Sequence, residues 1–292
     1  MDLTFQEQTL YTQKYKSVYN MLPQDSGGRL KKYVTIENGL VGEGAVASDQ
    51  IGETEVNEVV DRYGDSPHND VEMARRWYKP FRFNWGHLFE TADKVRTLGD
   101  PKNMIALAAR KAFDRKCDDM IIQCYYDSNL TGKDGTTLKP FPADNIVAHS
   151  DAGMTVDKLE TVRQLLEEND IDVDSEMPIV VLSPAGERQL RGEVKYSSRD
   201  YGEAVYDNGK LKSFLGFDFI VKNRLPFDKS SNVRSCPVFI KSAVGLGIWQ
   251  DLKIRLSERD DKNFLPYLYM EQFYSATRLD EKGCFSIEIK EA

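Results

Sequence analysis

The sequence has 292 residues, enough for one large or two modest domains, and its 40% apolar content with 14 Tyr and 14 Phe excludes a disordered chain. Thirty-nine Lys and Arg residues face 47 Asp and Glu residues, and the net charge of -8 argues against a dedicated nucleic-acid-binding protein. The four cysteines form no Cys-x-x-Cys pair, and the N-terminus lacks a signal-peptide pattern, so we expect reduced thiols, no membrane span and cytoplasmic synthesis.

The first 85 residues predict two extended segments with little core of their own. Residues 1–40 are polar and carry scattered aromatic side chains, which favours an arm that orders on a neighbouring surface over a frayed tail. Residues 41–85 predict a long polar hairpin whose turn spans residues 62–70, and its final extended piece spans residues 77–83. Since so few aliphatic residues cannot stabilise an isolated hairpin, we expect it to lie on another surface.

A long amphipathic helix is predicted over residues 100–125. Asp100 is the expected N-cap and Pro101 the first helical residue. Apolar positions recur at steps of three and four residues, which predicts one buried stripe. The adjacent carboxylates Asp118 and Asp119 are expected to be solvated, because neighbours on a helix do not share a face. Residues 127–150 are predicted to be a polar linker.

Helices and strands then alternate, which predicts an α/β unit. Thr155 is expected to cap a second helix, the apolar run at 179–182 predicts a buried strand, and Ser183-Pro184 opens a short helix to about Arg191. Asp207-Asn208-Gly209, between Tyr206 and Leu211, is a hairpin turn signal. The last forty residues alternate in polarity and predict three antiparallel strands.

The catalytic signatures that we sought are missing from the sequence. His68, His87 and His149 are too far apart for a local metal site, and no Gly-x-Ser-x-Gly elbow is present. Residues 42–47 mimic a dinucleotide fingerprint without the required strand and helix. We therefore predict no catalytic, cofactor or metal site and a protein that is not an enzyme; an enzyme on an α/β scaffold ranks far below.

Several motifs resemble, in order and spacing, those of the major capsid proteins of tailed bacteriophages. They are RYGDSP at 62–67, DKVRTLGDP at 93–101, AFDRKCDDMII at 112–122, TGKDG at 131–135 and SATR at 275–278. The resemblance covers nearly the whole chain and implies an α+β, Hong Kong 97-like capsid fold. It assigns the following domains: N-terminal arm 1–40, extended loop 41–85, peripheral domain 86–150 with a spine helix at 100–125, axial α/β domain 151–249, and returning peripheral strands 250–292.

The resemblance further implies a shell subunit that assembles as pentamers and hexamers around packaged phage DNA, without sequence-specific binding. The expected location is the virion, after synthesis in the host cytoplasm. A scaffolding protein and a portal are the implied partners, a decoration protein is left open, and no cofactor or membrane is expected. The alternative is an encapsulin-like nanocompartment shell. Charged and turn residues of the extended loop are the candidate intersubunit contacts: Arg62, Gly64, Asp65, Arg75 and Arg76.

Overall fold

The computed structural model describes residues 24–25, 27–52, 54, 56, 58, 68–71, 73–89, 102–193, 206–207, 210–211 and 213–291. Its helices are α1 (Lys102–Tyr126), α2 (Val156–Glu168) and α3 (Pro184–Gly192). Over the described residues, no helix combines the length and the apolar character that a membrane crossing needs. The strands in chain order are β1 (Thr35–Asn38), β2 (Ala45–Ile51), β3 (Met73–Tyr78), β4 (Phe81–Leu88), β5 (Asn129–Thr131), β6 (Thr137–Lys139), β7 (Ile146–Val147), β8 (Ile179–Leu182), β9 (Tyr206–Asp207), β10 (Lys210–Leu211), β11 (Asp218–Val221), β12 (Phe227–Asp228), β13 (Val233–Phe239), β14 (Val244–Arg259), β15 (Leu265–Arg278) and β16 (Cys284–Lys290).

The largest sheet has the order β11-β8-β13-β16-β7, and β12 pairs with β13 at its side. All four residues of β8 are buried, as the unbroken run of β-branched and Leu residues predicts. Helix α2 buries an apolar stripe that includes Leu159 and Val162, and α3 begins at Pro184 behind the N-cap Ser183. The Ser183 hydroxyl accepts a 3.0 Å hydrogen bond from the Gly186 amide, so the predicted helix start is confirmed.

A second sheet has the order β1-β14-β15-β4. Strand β1 runs parallel to β14, with Thr35 opposite Gly245 and Asn38 opposite Ile248. The hairpin strands β2 and β3 join β5 and β6 in a third sheet, and β9 pairs with β10, as the hairpin signal predicts. The mixed helix and strand content confirms the predicted α+β class.

The described residues group into two compact units. One contains the described residues of 24–27, 83–115 and 252–272. Its core joins α1 to β15 and β4 through Ala109, Phe113, Leu268 and Met270, with Phe83, Trp85 and Leu252 at the margin. The other contains residues of 28–82, 116–251 and 273–291. Its core includes the buried strands β8, β13 and β16.

Four local predictions need correction. Strand β16 leaves the predicted three-stranded group and pairs with β13 and β7. The predicted linker at 127–150 contains β5, β6 and β7. The single extended piece predicted over 77–83 belongs to two strands, because Pro80 separates β3 from β4 and cannot donate a ladder hydrogen bond. Thr155 occupies the N-cap of α2, but its side chain makes no capping hydrogen bond.

Candidate functional site

The hairpin of β2 and β3 is supported at its root by the short hairpin of β5 and β6. Strands β2 and β3 pair from Ala45 opposite Tyr78 to Ile51 opposite Met73. The Arg75 carbonyl accepts hydrogen bonds from the Thr131 hydroxyl at 2.9 Å and from the Gly132 amide at 3.2 Å. These contacts support the polar hairpin, which has too few aliphatic residues to be stable in isolation.

The TGKDG motif at 131–135 forms the turn that receives Trp77. The Trp77 indole Nε1 donates a 2.8 Å hydrogen bond to the Gly132 carbonyl. Gly135 has a φ of +64°, and a Cβ atom at this position would lie 2.9 Å from the indole ring. A residue with positive φ and no side chain is therefore required where the turn meets Trp77.

Two of the five candidate contact residues are described, and they lie in different environments. Arg75 is on the surface, where its Nε is 2.5 Å from Asp49 Oδ1 and its Nη2 is 3.1 Å from Oδ2. This hydrogen bonding lowers the pKa of Asp49. Arg76 is only 3% exposed and bonds to Glu281 and Gln50 of its own chain.

The other three candidates, Arg62, Gly64 and Asp65, lie outside the described residues. An intersubunit role for the five therefore stays a prediction. The Arg76 guanidinium is paired with Glu281, in the turn between β15 and β16 of the same chain.

Sequence reasoning missed an exposed apolar pair beyond these charges. Ile51 and Met73 are register partners at the far end of the β2–β3 ladder and are 74% and 79% exposed. The sequence signal for this exposure is the alternation along β2, because Ile51 lies two residues after the exposed Asp49 and is therefore on the same face of the strand. Clustered exposed apolar side chains are typical of protein contact surfaces.

Asp118 corrects another prediction, since its carboxylate is buried rather than solvated. It is 2.5 Å from the ammonium of Lys222, whose side chain is 1% exposed. It also accepts hydrogen bonds from the backbone amides of Arg29 and Leu30 at 3.2 and 3.1 Å. One carboxylate thus connects Arg29, Leu30 and the residue that follows β11 to helix α1.

The sequence held a signal for this burial. Ile121 and Ile122 lie three and four residues after Asp118 and are both buried, so position 118 belongs to the edge of the apolar stripe. Its neighbour Asp119 is on the outer side, where it pairs with the more exposed Arg224 at 2.8 Å. The two adjacent aspartates therefore differ in burial while both have basic partners.

A buried arginine holds the end of helix α1. The Arg278 guanidinium donates to the carbonyls of Tyr125, Asp127 at 2.8 Å and Lys139 at 3.1 Å. Burial lowers the pKa of Arg278. The cation satisfies carbonyl groups that the helix end leaves without partners, and it ties them to β6.

The described residues contain no candidate metal site. No group of three or more His, Cys, Asp or Glu side chains there could hold a metal ion. Cys117, Cys124, Cys236 and Cys284 are free thiols. The polar clusters that the structure does describe hold segments of the chain together.

Comparisons with known proteins identify a family of capsid proteins. The family model for phage capsid protein matches residues 8–291. The solved capsid of cyanophage Pam1 superposes with a TM-score of 0.77 at 12% identity, covering 100% of this chain and 98% of that chain. The cyanophage P-SCSP1u capsid gives 0.73 at 14% identity, with 98% and 94% coverage, and the head of Helicobacter pylori bacteriophage KHP40 gives 0.73 at 10%, with 99% and 100%. No curated protein matches the sequence.

Proposed function

The chain belongs to the phage capsid protein family and is a major capsid protein that forms the virion shell, and from this premise we propose that its copies assemble as pentamers and hexamers around packaged DNA. The encapsulin alternative is not favoured, since both the family and the superposed structures are those of phage capsids. In this proposal the domain assignments made from the resemblance also hold, from the arm at 1–40 to the returning strands at 250–292.

The observation that carries the proposal is the contrast between the two ends of the β2–β3 hairpin. At its root, Trp77 and the backbone of Arg75 bond to the β5–β6 turn of the same chain. At the far end of the ladder, Ile51 and Met73 expose most of their apolar surface. A neighbouring subunit in the shell would bury this pair and gain roughly 25 cal/mol for each Å² of apolar surface removed from water.

The partners and the chemistry follow from the same role. A chain with a net charge of -8 would enclose DNA without binding its phosphate groups tightly, because phosphate binding requires a basic surface. Synthesis in the host cytoplasm, a scaffolding protein and a portal complete the proposal. We assign the chain no catalytic activity and no cofactor.

Shortening the hairpin tests the proposal without disturbing its ladder. Ile51 and Met73 face each other, so residues 52–72 can be replaced by an Asn-Gly pair, which closes two antiparallel strands in a two-residue turn. The helical circular dichroism should be retained, because α1, α2 and α3 lie outside the change. Sedimentation should detect free subunits or small oligomers where the parent chain forms shells.

Replacing Ile51 and Met73 with Thr in the full-length hairpin provides a milder variant. Threonine keeps the β preference of both strands and removes most of the exposed apolar surface. Assembly should require a higher subunit concentration than for the parent chain. Intact shells from the shortened hairpin would show that this segment is not an assembly element.

A further inference from the structure

The first residues that the structure describes lie against helix α1. Arg115 Nη1 donates hydrogen bonds of 2.8 Å to Gln24 Oε1 and to the Asp25 carbonyl. Gly27 lies directly on the helix, because a Cβ atom at this position would clash with the backbone of Arg115. The chain is therefore already in contact with α1 at Gln24.

These contacts also define the direction of the chain along the helix. Gly27 lies at Arg115, and three residues later the Leu30 amide donates to Asp118, which is three residues further along α1. Chain and helix therefore run in the same direction, from N-terminus to C-terminus. Residues that precede Gln24 on the same course approach the N-terminal half of α1.

An exposed leucine lies on this face in the N-terminal half of α1. Leu107 precedes Asp114 by seven residues and Asp118 by eleven, which are close to two and three helical turns, so the three residues share one face. Leu107 is 45% exposed, whereas the described apolar residues of α1 that follow it are buried or half-buried. The face that contacts the start of the described chain thus continues into an exposed apolar position.

The tripeptide Met-Leu-Pro at 21–23 has the reach to cover Leu107. Leu107 is eight residues before Arg115, which is about 12 Å along the helix at about 1.5 Å per residue. An extended chain covers this distance in about four residues at roughly 3.3 Å each, and four residues before Gly27 is position 23. The proline at this position favours an extended conformation for the residue before it, so the tripeptide suits such a course.

We propose that residues 21–23 dock on Leu107 of their own chain and attach the N-terminal arm to helix α1. These residues lie outside the described part of the chain, and Leu22 is the side chain that we assign to the contact. Docking is a property of one subunit and does not require assembly. Under the proposed shell function, it sets the place from which residues 1–20 reach a neighbouring copy.

Cysteine cross-linking tests the course of the arm. Met21→Cys is combined either with Arg110→Cys, an exposed position about one turn after Leu107, or with Gln123→Cys, an exposed position of α1 beyond the Asp118 contact. A short bismaleimide should join the Met21 and Arg110 positions within one chain about tenfold faster, or more, than the Met21 and Gln123 positions, because a linker that cannot span two sites does not connect them. The single Met21→Cys variant is the control for the native thiols.

Substitution of Leu107 tests the contact itself. Leu107→Asn, added to the pair of cysteines at 21 and 110, removes the apolar side chain that the tripeptide covers. Cross-linking should slow about tenfold, a ratio that corresponds to about 1.4 kcal/mol of apolar contact. Leu138→Asn, at an exposed leucine of β6, is the matched control and should leave the rate unchanged. Helical circular dichroism verifies that each variant is folded.

Equal cross-linking rates for the Arg110 and Gln123 positions would overturn the proposal, and so would a rate that Leu107→Asn leaves unchanged. A product that joins two chains, seen as a dimer on a denaturing gel, would assign the tripeptide to a neighbouring copy and overturn it as well. All rates are measured on dilute free subunits. Shell formation, followed by sedimentation, is a separate measurement, so a failure of the docking and a failure of the shell function are distinguishable.

Discussion

Replacing Asp118 with Ala should destabilise the subunit severely. The change leaves the ammonium of Lys222, on a side chain that is 1% exposed, buried without its ion pair, and breaking such a pair costs about 3–5 kcal/mol. The amides of Arg29 and Leu30 also lose this acceptor, at about 1 kcal/mol or more each. A total of about 5 kcal/mol or more is a large part of the 5–15 kcal/mol that folded proteins typically have.

The adjacent residue supplies the control. Asp119→Ala removes a carboxylate whose partner Arg224 is 55% exposed, so solvent screens the pair and the cost should stay below about 1 kcal/mol. Thermal unfolding of free subunits, followed by helical circular dichroism, should give a midpoint about 10–20 °C lower for the Asp118 variant. The Asp119 variant should unfold within about 4 °C of the parent chain.

A double variant, Asp118→Leu with Lys222→Met, separates charge from packing. It removes both buried charges and should recover part of the loss, although the two amides still lack the carboxylate. Equal destabilisation by the two single alanine variants would refute the reasoning, because burial would then not govern the strength of these pairs.

Three further predictions concern the other contacts. Gly135→Val should lower the free energy of unfolding by about 1–3 kcal/mol and perturb Trp77 fluorescence, because valine resists the positive φ at this position and its Cβ would contact the indole ring. The control Gly192→Ala should be nearly neutral, because no atom lies within 4 Å of the added Cβ. Arg278→Met should lower the urea midpoint by the equivalent of about 3 kcal/mol or more, since three carbonyls lose their donor; an unchanged midpoint would show that water replaces the guanidinium. Burial raises the pKa of Cys124 to about 11 and of Cys236 to about 12, so alkylation at pH 8 should be slow in the native chain. After unfolding without reductant, alkylation should modify four thiols, and fewer than four would indicate disulfides.

The sequence predicted those elements whose signals lie within a few residues. Ser183 and Pro184 mark the start of α3 because capping is decided by the local backbone, and the uninterrupted apolar run predicts β8. The Asp207-Asn208-Gly209 signal predicted the pairing of β9 with β10 for the same reason. The family motifs supplied the capsid assignment, which residue patterns by themselves did not contain.

Predictions failed where partners are distant in the chain. Alternation identifies β16 as a strand, but it carries no information about pairing with β13 rather than β15. Strands β5, β6 and β7 have two or three residues each, too few for a recognisable period. Asp118 was assigned to solvent because its partner, Lys222, is separated from it by 104 positions and only the fold brings them together.

The location of β16 also sets an order of events during synthesis. Residues 284–290 form the last described strand, yet this strand lies inside the six-stranded sheet, antiparallel to β13 on one side and parallel to β7 on the other. While a nascent chain still lacks these residues, β13 and β7 have no strand between them, and the sheet remains divided. Long-range pairing of this kind delays folding until the distant segment arrives. The sheet of the subunit is thus completed only when residues 284–290 are available, so growing chains that lack them do not offer a finished surface to the shell.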